Sequence, residues 1–231
     1  MPEQFALDND VVLKACCYDI ATECVGLLCS PQPALMLATA PFVLRDRVAR
    51  SSKIKDRDRA SRALDEWLKS VATAEPTDDE IALAASLEEE ATKRGLELDT
   101  GESILFALLF SRDLRSLLTG DKRAVAALEG AAASAVINKV AGRVGCFEQL
   151  IGTLLDAASL AAMRSKICSE PDADRATSIC FSCSGSAPDL ASVRAGLASY
   201  IGAVRTTAPR LLAPGDDLRS IPALPQENGV R

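Results

Sequence analysis

The chain has 231 residues, a net charge of −6, eight cysteines and no histidine. That length allows one large domain or one domain with an extension, and the negative balance argues against nonspecific nucleic-acid binding by the whole surface. Without an imidazole, Ser-His-Asp triads, Cys-His dyads, His-ligated zinc and His general bases are excluded, so any catalysis falls to carboxylates, thiols, lysines or a metal.

No apolar run reaches the roughly 18 residues of a membrane span. Glu3 and Asp8 interrupt the N-terminal segment, which therefore does not read as a signal peptide. A soluble cytoplasmic protein with no membrane partner is expected. The cysteines (Cys16, Cys17, Cys24, Cys29, Cys146, Cys168, Cys180 and Cys183) are then expected to be reduced thiols rather than a disulfide framework.

In chain order, residues 4–7 form a short apolar run that stops at Asp8. The spacing of Val11, Val12, Ala15, Ile20, Val25, Leu27 and Leu28 predicts one helix over 11–28. Ser30-Pro31-Gln32-Pro33 is a turn, and 34–39 is short enough to be a buried strand. Pro41 stands where a helix begins, and 42–48 continues it. Residues 56–71 read as a polar amphipathic helix. Thr77 and Glu80 form a capping box that opens a helix ended by Gly95. A brief extended piece at 96–98 precedes a helix from Gly101 to about 112, with Thr100 as its cap. Residues 116–119 are another strand, and Asp121 opens a helix through 128. Strands alternating with helices predict an α/β fold with a parallel sheet covered on both faces.

After Gly130 the pattern changes. Residues 131–141, 147–166 and 187–205 read as helices, with a break at 171–174 and no strand alternation. Beyond Pro209 the composition suggests a poorly ordered tail. The expected organisation is an α/β domain over 1–130, an all-helical extension over 131–210 and a disordered tail over 211–231.

Three segments carry acids after a short apolar strand or in the first turn of a helix: Leu7-Asp8-Asn9-Asp10-Val11, Leu98-Asp99-Thr100-Gly101-Glu102 and Leu117-Leu118-Thr119-Gly120-Asp121. In a parallel sheet the carboxyl ends of the strands share one edge, so these acids should converge. Like charges gathered without a cation are costly, and Mg²⁺ or Mn²⁺, which prefer oxygen ligands, are the natural partners.

The same residues carry a resemblance. Leu7-Asp8-Asn9-Asp10-Val11 is similar to the opening motif of PIN domains, with Asp10 where Asn is usual. Leu98-Asp99-Thr100-Gly101-Glu102 and Leu117-Leu118-Thr119-Gly120-Asp121 resemble the "LDxGE" and "LLTxD" motifs of one PIN-like branch. The resemblance covers about residues 4–130. It implies a PIN-like nuclease fold in which Asp8, Asp46, Glu102 and Asp121 are the catalytic acids. Asp8, Glu102 and Asp121 would hold Mg²⁺ or Mn²⁺, Asp10 would add a ligand through water, and Thr119 would orient water or an acid. Asp46 is the best match to the family's second acid, although Glu is usual there. The implied activity is phosphodiester hydrolysis, with single-stranded RNA as substrate, a place in a toxin–antitoxin or defence system, and a protein inhibitor or second copy as partner.

Residues 45–62 hold eight basic side chains against Asp46, Asp56 and Asp58. Such a run reads as a solvated face laced with salt bridges; beside an acidic site, Arg45, Arg47, Arg50, Lys53 and Lys55 could instead track a phosphate backbone. Bland readings stand beside the others too. Asp8 and Asp121 could be helix caps, Glu102 could favour a helix dipole, and Asp99 could be a turn residue. Cys180-Phe181-Ser182-Cys183 has zinc-knuckle or redox spacing, with Cys168 and Cys146 as further ligands, or these are buried free thiols. A catalytically silent PIN-like interaction module and a zinc-stabilised helical protein are the alternatives to a nuclease.

Overall fold

The computed structural model describes residues 4–222. Five parallel strands form one sheet: β1 (Phe5–Leu7), β2 (Ala34–Leu37), β3 (Val71–Ala74), β4 (Ser116–Thr119) and β5 (Val144–Cys146), in the order β3-β2-β1-β4-β5. Every residue of β1 and β4 is buried. Parallel strands read as unbroken apolar runs for this reason: helices cover both of their faces. The α/β expectation is met.

Helices α1 (Asn9–Cys17), α2 (Ala21–Leu28), α3 (Ala40–Arg50) and α4 (Arg57–Leu68) fill the connections before β3. Helices α5 (Asp78–Lys93) and α6 (Thr100–Ser111) lead to β4, and α7 (Lys122–Ala131) and α8 (Ser134–Val140) lead to β5. The apolar helix predicted over 11–28 is two helices. Asp19 lies in the left-handed region at φ 55°, and Tyr18 and Ile20 are buried on either side of it. Pro41 sits in the first turn of α3, where its missing N–H costs nothing. The Thr77 capping box forms as expected: Thr77 N–H donates to Glu80 Oε2 at 2.8 Å, and Glu80 N–H to Thr77 Oγ1 at 3.3 Å. Gly95 ends α5 at φ 68°. Helix α6 buries Leu105, Phe106, Ala107, Leu108 and Leu109, so it runs through the core rather than over the surface.

Beyond residue 130 the helix expected over 131–141 appears as α8, the one expected over 147–166 as two, α9 (Phe147–Leu154) and α10 (Leu160–Ser169), and the one expected over 187–205 as α12 (Leu190–Thr207), while α11 (Arg175–Cys180) is additional. Two expectations are corrected. The extension is not all-helical: β5 pairs with β4 through Leu117–Val144, Leu118–Gly145 and Thr119–Cys146, so the sheet crosses the boundary expected near 130. The segment up to 222 is not a loose tail. Leu211, Leu212, Ala213, Leu218 and Ile221 are buried, and Ala213 N–H donates to Val144 O at 2.7 Å. Residues 223–231, the rest of the expected tail, lie outside the described residues.

Candidate functional site

The strand order reverses between β1 and β4. From β1 the chain leads to β2 and β3 on one side, and β4 leads to β5 on the other. Crevices at such switch points, beyond the carboxyl ends of the strands, are where open α/β sheets bind ligands. Asp8 follows β1 and Asp121 lies two residues beyond β4. The register Leu7–Leu118 and the bond from Asp8 N–H to Leu118 O at 2.9 Å hold the two strand ends side by side.

A cleft of about 500 Å³ opens there, lined by Asp8, Asp10, Asp99, Glu102, Asp121 and Asp174, with Arg47, Lys122 and Arg123 among the bases. The structure thus brings Asp8, Asp10, Glu102 and Asp121 to one place. It does not bring Asp46, which pairs with Arg50 at 2.8 Å in a separate shallow hollow formed with Leu13, Arg47 and Ser51. Asp46 lies on the exposed face of α3, while its neighbour Arg47 turns toward the acids.

Thr119 organises the strand ends. Its hydroxyl oxygen accepts from Asp121 N–H at 3.0 Å, which leaves its proton for Asp8 Oδ2 at 3.1 Å. Burial and the neighbouring Asp10 carboxylate nevertheless raise the Asp8 pKa above the ordinary 3.8, against the hydrogen bond from Thr119. Glu102 is pushed up to about 7. Burial is the main cause, and Asp121, Asp8 and Asp99 add repulsion against the bond from Asp99 N–H. That bond, at 3.2 Å to Glu102 Oε2, makes Glu102 a partner in the cap of α6. The N-cap residue is Asp99 rather than Thr100. Asp121 caps α7, accepting from Arg123 N–H at 2.8 Å and Ala124 N–H at 3.3 Å. Burial works to raise its pKa, but these N–H groups and the Arg123 side chain hold it below the ordinary carboxylate range.

Three participants are not evident from the strand motifs. Lys14, a lone cation on apolar α1, is buried and bridges Asp10 Oδ2 at 2.6 Å and Asp174 Oδ2 at 2.7 Å. Burial alone would lower its pKa; the two carboxylates together raise it. Asp174 comes from the 171–174 break, which reads only as a turn in the sequence. Gly120 lies against this bridge: a Cβ there would overlap Asp10 Oδ2 and fall 2.9 Å from Lys14 Nζ, so both side-chain ends would have to move. The sequence signal for Lys14 is its position as a single charge among Val, Leu, Ala and Cys.

The basic segment divides. Arg47 lines the cleft, Arg45 pairs with Asp65 at 3.2 Å, Arg50 pairs with Asp46, and Lys53 and Lys55 are exposed. Arg59 is committed to buried Glu170 at 3.2 Å.

The cysteine expectations are also corrected. Cys168 and Cys183 form a disulfide, because the turn after α11 brings Cys183 back to the end of α10 with a Cα–Cα distance of 5.0 Å. Cys183 is therefore no zinc ligand, and the CxxC spacing makes no knuckle. Burial raises the Cys146 thiol to about 12 and the Cys180 thiol to about 11, so neither is a nucleophile at neutral pH.

As a place for Mg²⁺ or Mn²⁺, the cleft fits in its donor chemistry. It offers oxygen ligands only, and two of its carboxyls, Asp8 and Glu102, are destabilised as anions and would be relieved by a cation. The side chains as they stand are turned to other partners, Glu102 and Asp121 to helix N–H groups and Asp10 to Lys14. Among the described residues no three of them form a metal-holding group.

No protein-family model matches the chain, and no curated protein matches it. Among solved structures it is similar to VapBC2 from Rickettsia felis bound to a DNA fragment from their promoter. The TM-score is 0.41 and the identity 15%, over 51% of this chain and 87% of that one. At this level of similarity nothing about activity or partners transfers. Among the described residues no helix is long and apolar enough to cross a membrane.

Proposed function

We propose that the chain is a PIN-like, metal-dependent phosphodiesterase acting on single-stranded RNA. The observation that carries this reading is the convergence of Asp8, Asp10, Glu102 and Asp121 in one cleft at the β1/β4 switch point. Asp8, Glu102 and Asp121 would hold Mg²⁺ or Mn²⁺, with Asp10 acting through water. When bound, such an ion supplies positive charge to a phosphate oxygen and a more acidic water. Thr119 fixes the orientation of Asp8, and Arg47 offers the cleft a guanidinium matched to a phosphate. Asp46, paired away from the cleft, has no part in this arrangement. Metal-dependent cleavage of labelled RNA that disappears in Asp8→Asn supports the proposal; equal cleavage by that variant contradicts it.

A second reading, a silent PIN-like scaffold that binds a partner, is favoured by the engagement of Asp10, Glu102 and Asp121 with protein groups. Calorimetric titration with Mn²⁺ separates the two. Binding that is lost in Asp8→Asn supports the nuclease; an intact fold with no Mn²⁺ binding supports the scaffold.

A further inference from the structure

Five of the acids that line the cleft fall into two sets. Asp8 and Asp121 follow β1 and β4, and Glu102 lies in the first turn of α6. Asp10 and Asp174 form the second set, one from the first turn of α1 and the other the N-cap residue of α11. Among the described residues, the first set is ion-paired only through the exposed Arg123, 3.3 Å from Asp121. The second set already encloses a cation. Lys14 Nζ lies 2.6 Å from Asp10 Oδ2 and 2.7 Å from Asp174 Oδ2.

The surroundings of this ammonium are fixed from several sides. Lys14 stands one helical turn after Asp10, and its side chain is only 10% exposed. Asp174 Oδ1 accepts from Thr177 N–H at 2.8 Å, and its carbonyl oxygen accepts from the Tyr18 hydroxyl at 3.2 Å, so Oδ2 is left for Lys14. Lys14 Nζ also lies 5.3 Å from the centre of the Phe147 ring, close enough for the ring face to favour a positive charge. Divalent cations meet carboxylate oxygens at about 2.0–2.6 Å. An ion bound between Asp10 and Asp174 would therefore have to take the place of the ammonium, and two carboxylates left there without any cation would repel each other.

We propose that Lys14 stands in for a second metal ion, so that the cleft takes one divalent cation rather than a pair. This rests on the metal-dependent reading above and deepens it. Asp8, Glu102 and Asp121 hold the ion, while Asp10 and Asp174 hold the ammonium. The arrangement of paired ions about 4 Å apart that many phosphodiesterases use is closed to this chain by its own side chain.

The test counts Mn²⁺ bound to the full chain by calorimetry and records electron paramagnetic resonance spectra of the same samples. Wild type is expected to bind one ion, lost in Asp8→Asn, with the resolved hyperfine spectrum of an isolated Mn²⁺. Lys14→Met removes the charge and keeps an apolar stem. It should bind two ions, their spectrum broadened by coupling, and adding Asp174→Asn to it should return the count to one. If Lys14→Met does not fold, Lys14→Gln, which can still hydrogen-bond to a carboxylate, carries the same test. Two ions in the wild type, one ion in a folded Lys14 variant, or two ions kept in the double variant would each overturn the inference and leave the metal-dependent reading standing. No ion in the wild type would overturn both.

Discussion

Replacing Glu102 with Gln isolates the strain in the acidic cleft. Glutamine is nearly isosteric and keeps an oxygen for Asp99 N–H, so the cap of α6 survives. Glu102 has a folded-state pKa of about 7 against an ordinary 4.5. The folded chain therefore holds this proton more tightly than the unfolded chain, and stability falls as the pH rises from about 4.5 to about 7. At about 1.36 kcal/mol per pH unit the ceiling is about 3 kcal/mol; Glu102 is partly exposed, and solvent screening reduces the expectation to about 1–2 kcal/mol. Glutamine also forgoes a helix-dipole term of about 0.3–1 kcal/mol at high pH, which leaves a net gain of about 1 kcal/mol. Urea unfolding in EDTA at pH 4.5 and pH 8 reads this directly. The variant should gain about 1 kcal/mol on the wild type between the two pH values. A difference between the proteins that stays constant over that range would refute the account of Glu102 as a carboxyl kept out of its ionised form by burial and its neighbours.

Other outcomes follow from the same geometry. Lys14→Met leaves Asp10 and half-buried Asp174 without their cation and should cost about 3 kcal/mol by chemical denaturation; a neutral result would show that the bridge is not formed. Gly120→Ala forces Asp10 and Lys14 apart and should cost about 1–3 kcal/mol while weakening Mn²⁺ binding in calorimetry, and unchanged values for both would mean the close approach is absent. The Cys168–Cys183 bond closes a loop with a sequence separation of 15. Its removal in Cys168→Ser should lower the unfolding free energy by about 2–3 kcal/mol; mass spectrometry finding both thiols free in the native wild type would contradict the bond itself.

What was legible in the sequence is what local chemistry encodes. The acids after β1 and β4, the Thr77 capping box, Gly95 and Pro41 each answer to a rule that spans a few residues, and the structure has them where that rule puts them. Strands β1, β2 and β4 show as short apolar runs, whereas β3 has a threonine and incomplete burial and β5 has a glycine at its centre, so neither stands out from its surroundings. Gly145 in β5 makes sense only beside Leu118 and Leu218, which crowd the place a Cβ would take. The break between α1 and α2 carries no Gly or Pro; Asp19 adopts φ 55° while Tyr18 and Ile20 pack on either side. Residues 211–215 look like a tail by composition but are tied down by distant groups. Glu129 accepts from Leu211 N–H at 2.9 Å, and Gln149 donates to Ala213 O and Gly215 O at 3.0 Å. At the cleft, Asp174 was hidden for the same reason: its partner Lys14 lies 160 residues away in the chain.

The most direct test of the central claim is cleavage of labelled single-stranded RNA and DNA in Mg²⁺ or Mn²⁺, with wild type beside Asp8→Asn and Asp46→Asn. The account predicts metal-dependent cleavage of RNA that is lost in Asp8→Asn and kept in Asp46→Asn. Cleavage that survives Asp8→Asn, or that fails in Asp46→Asn alone, would contradict it.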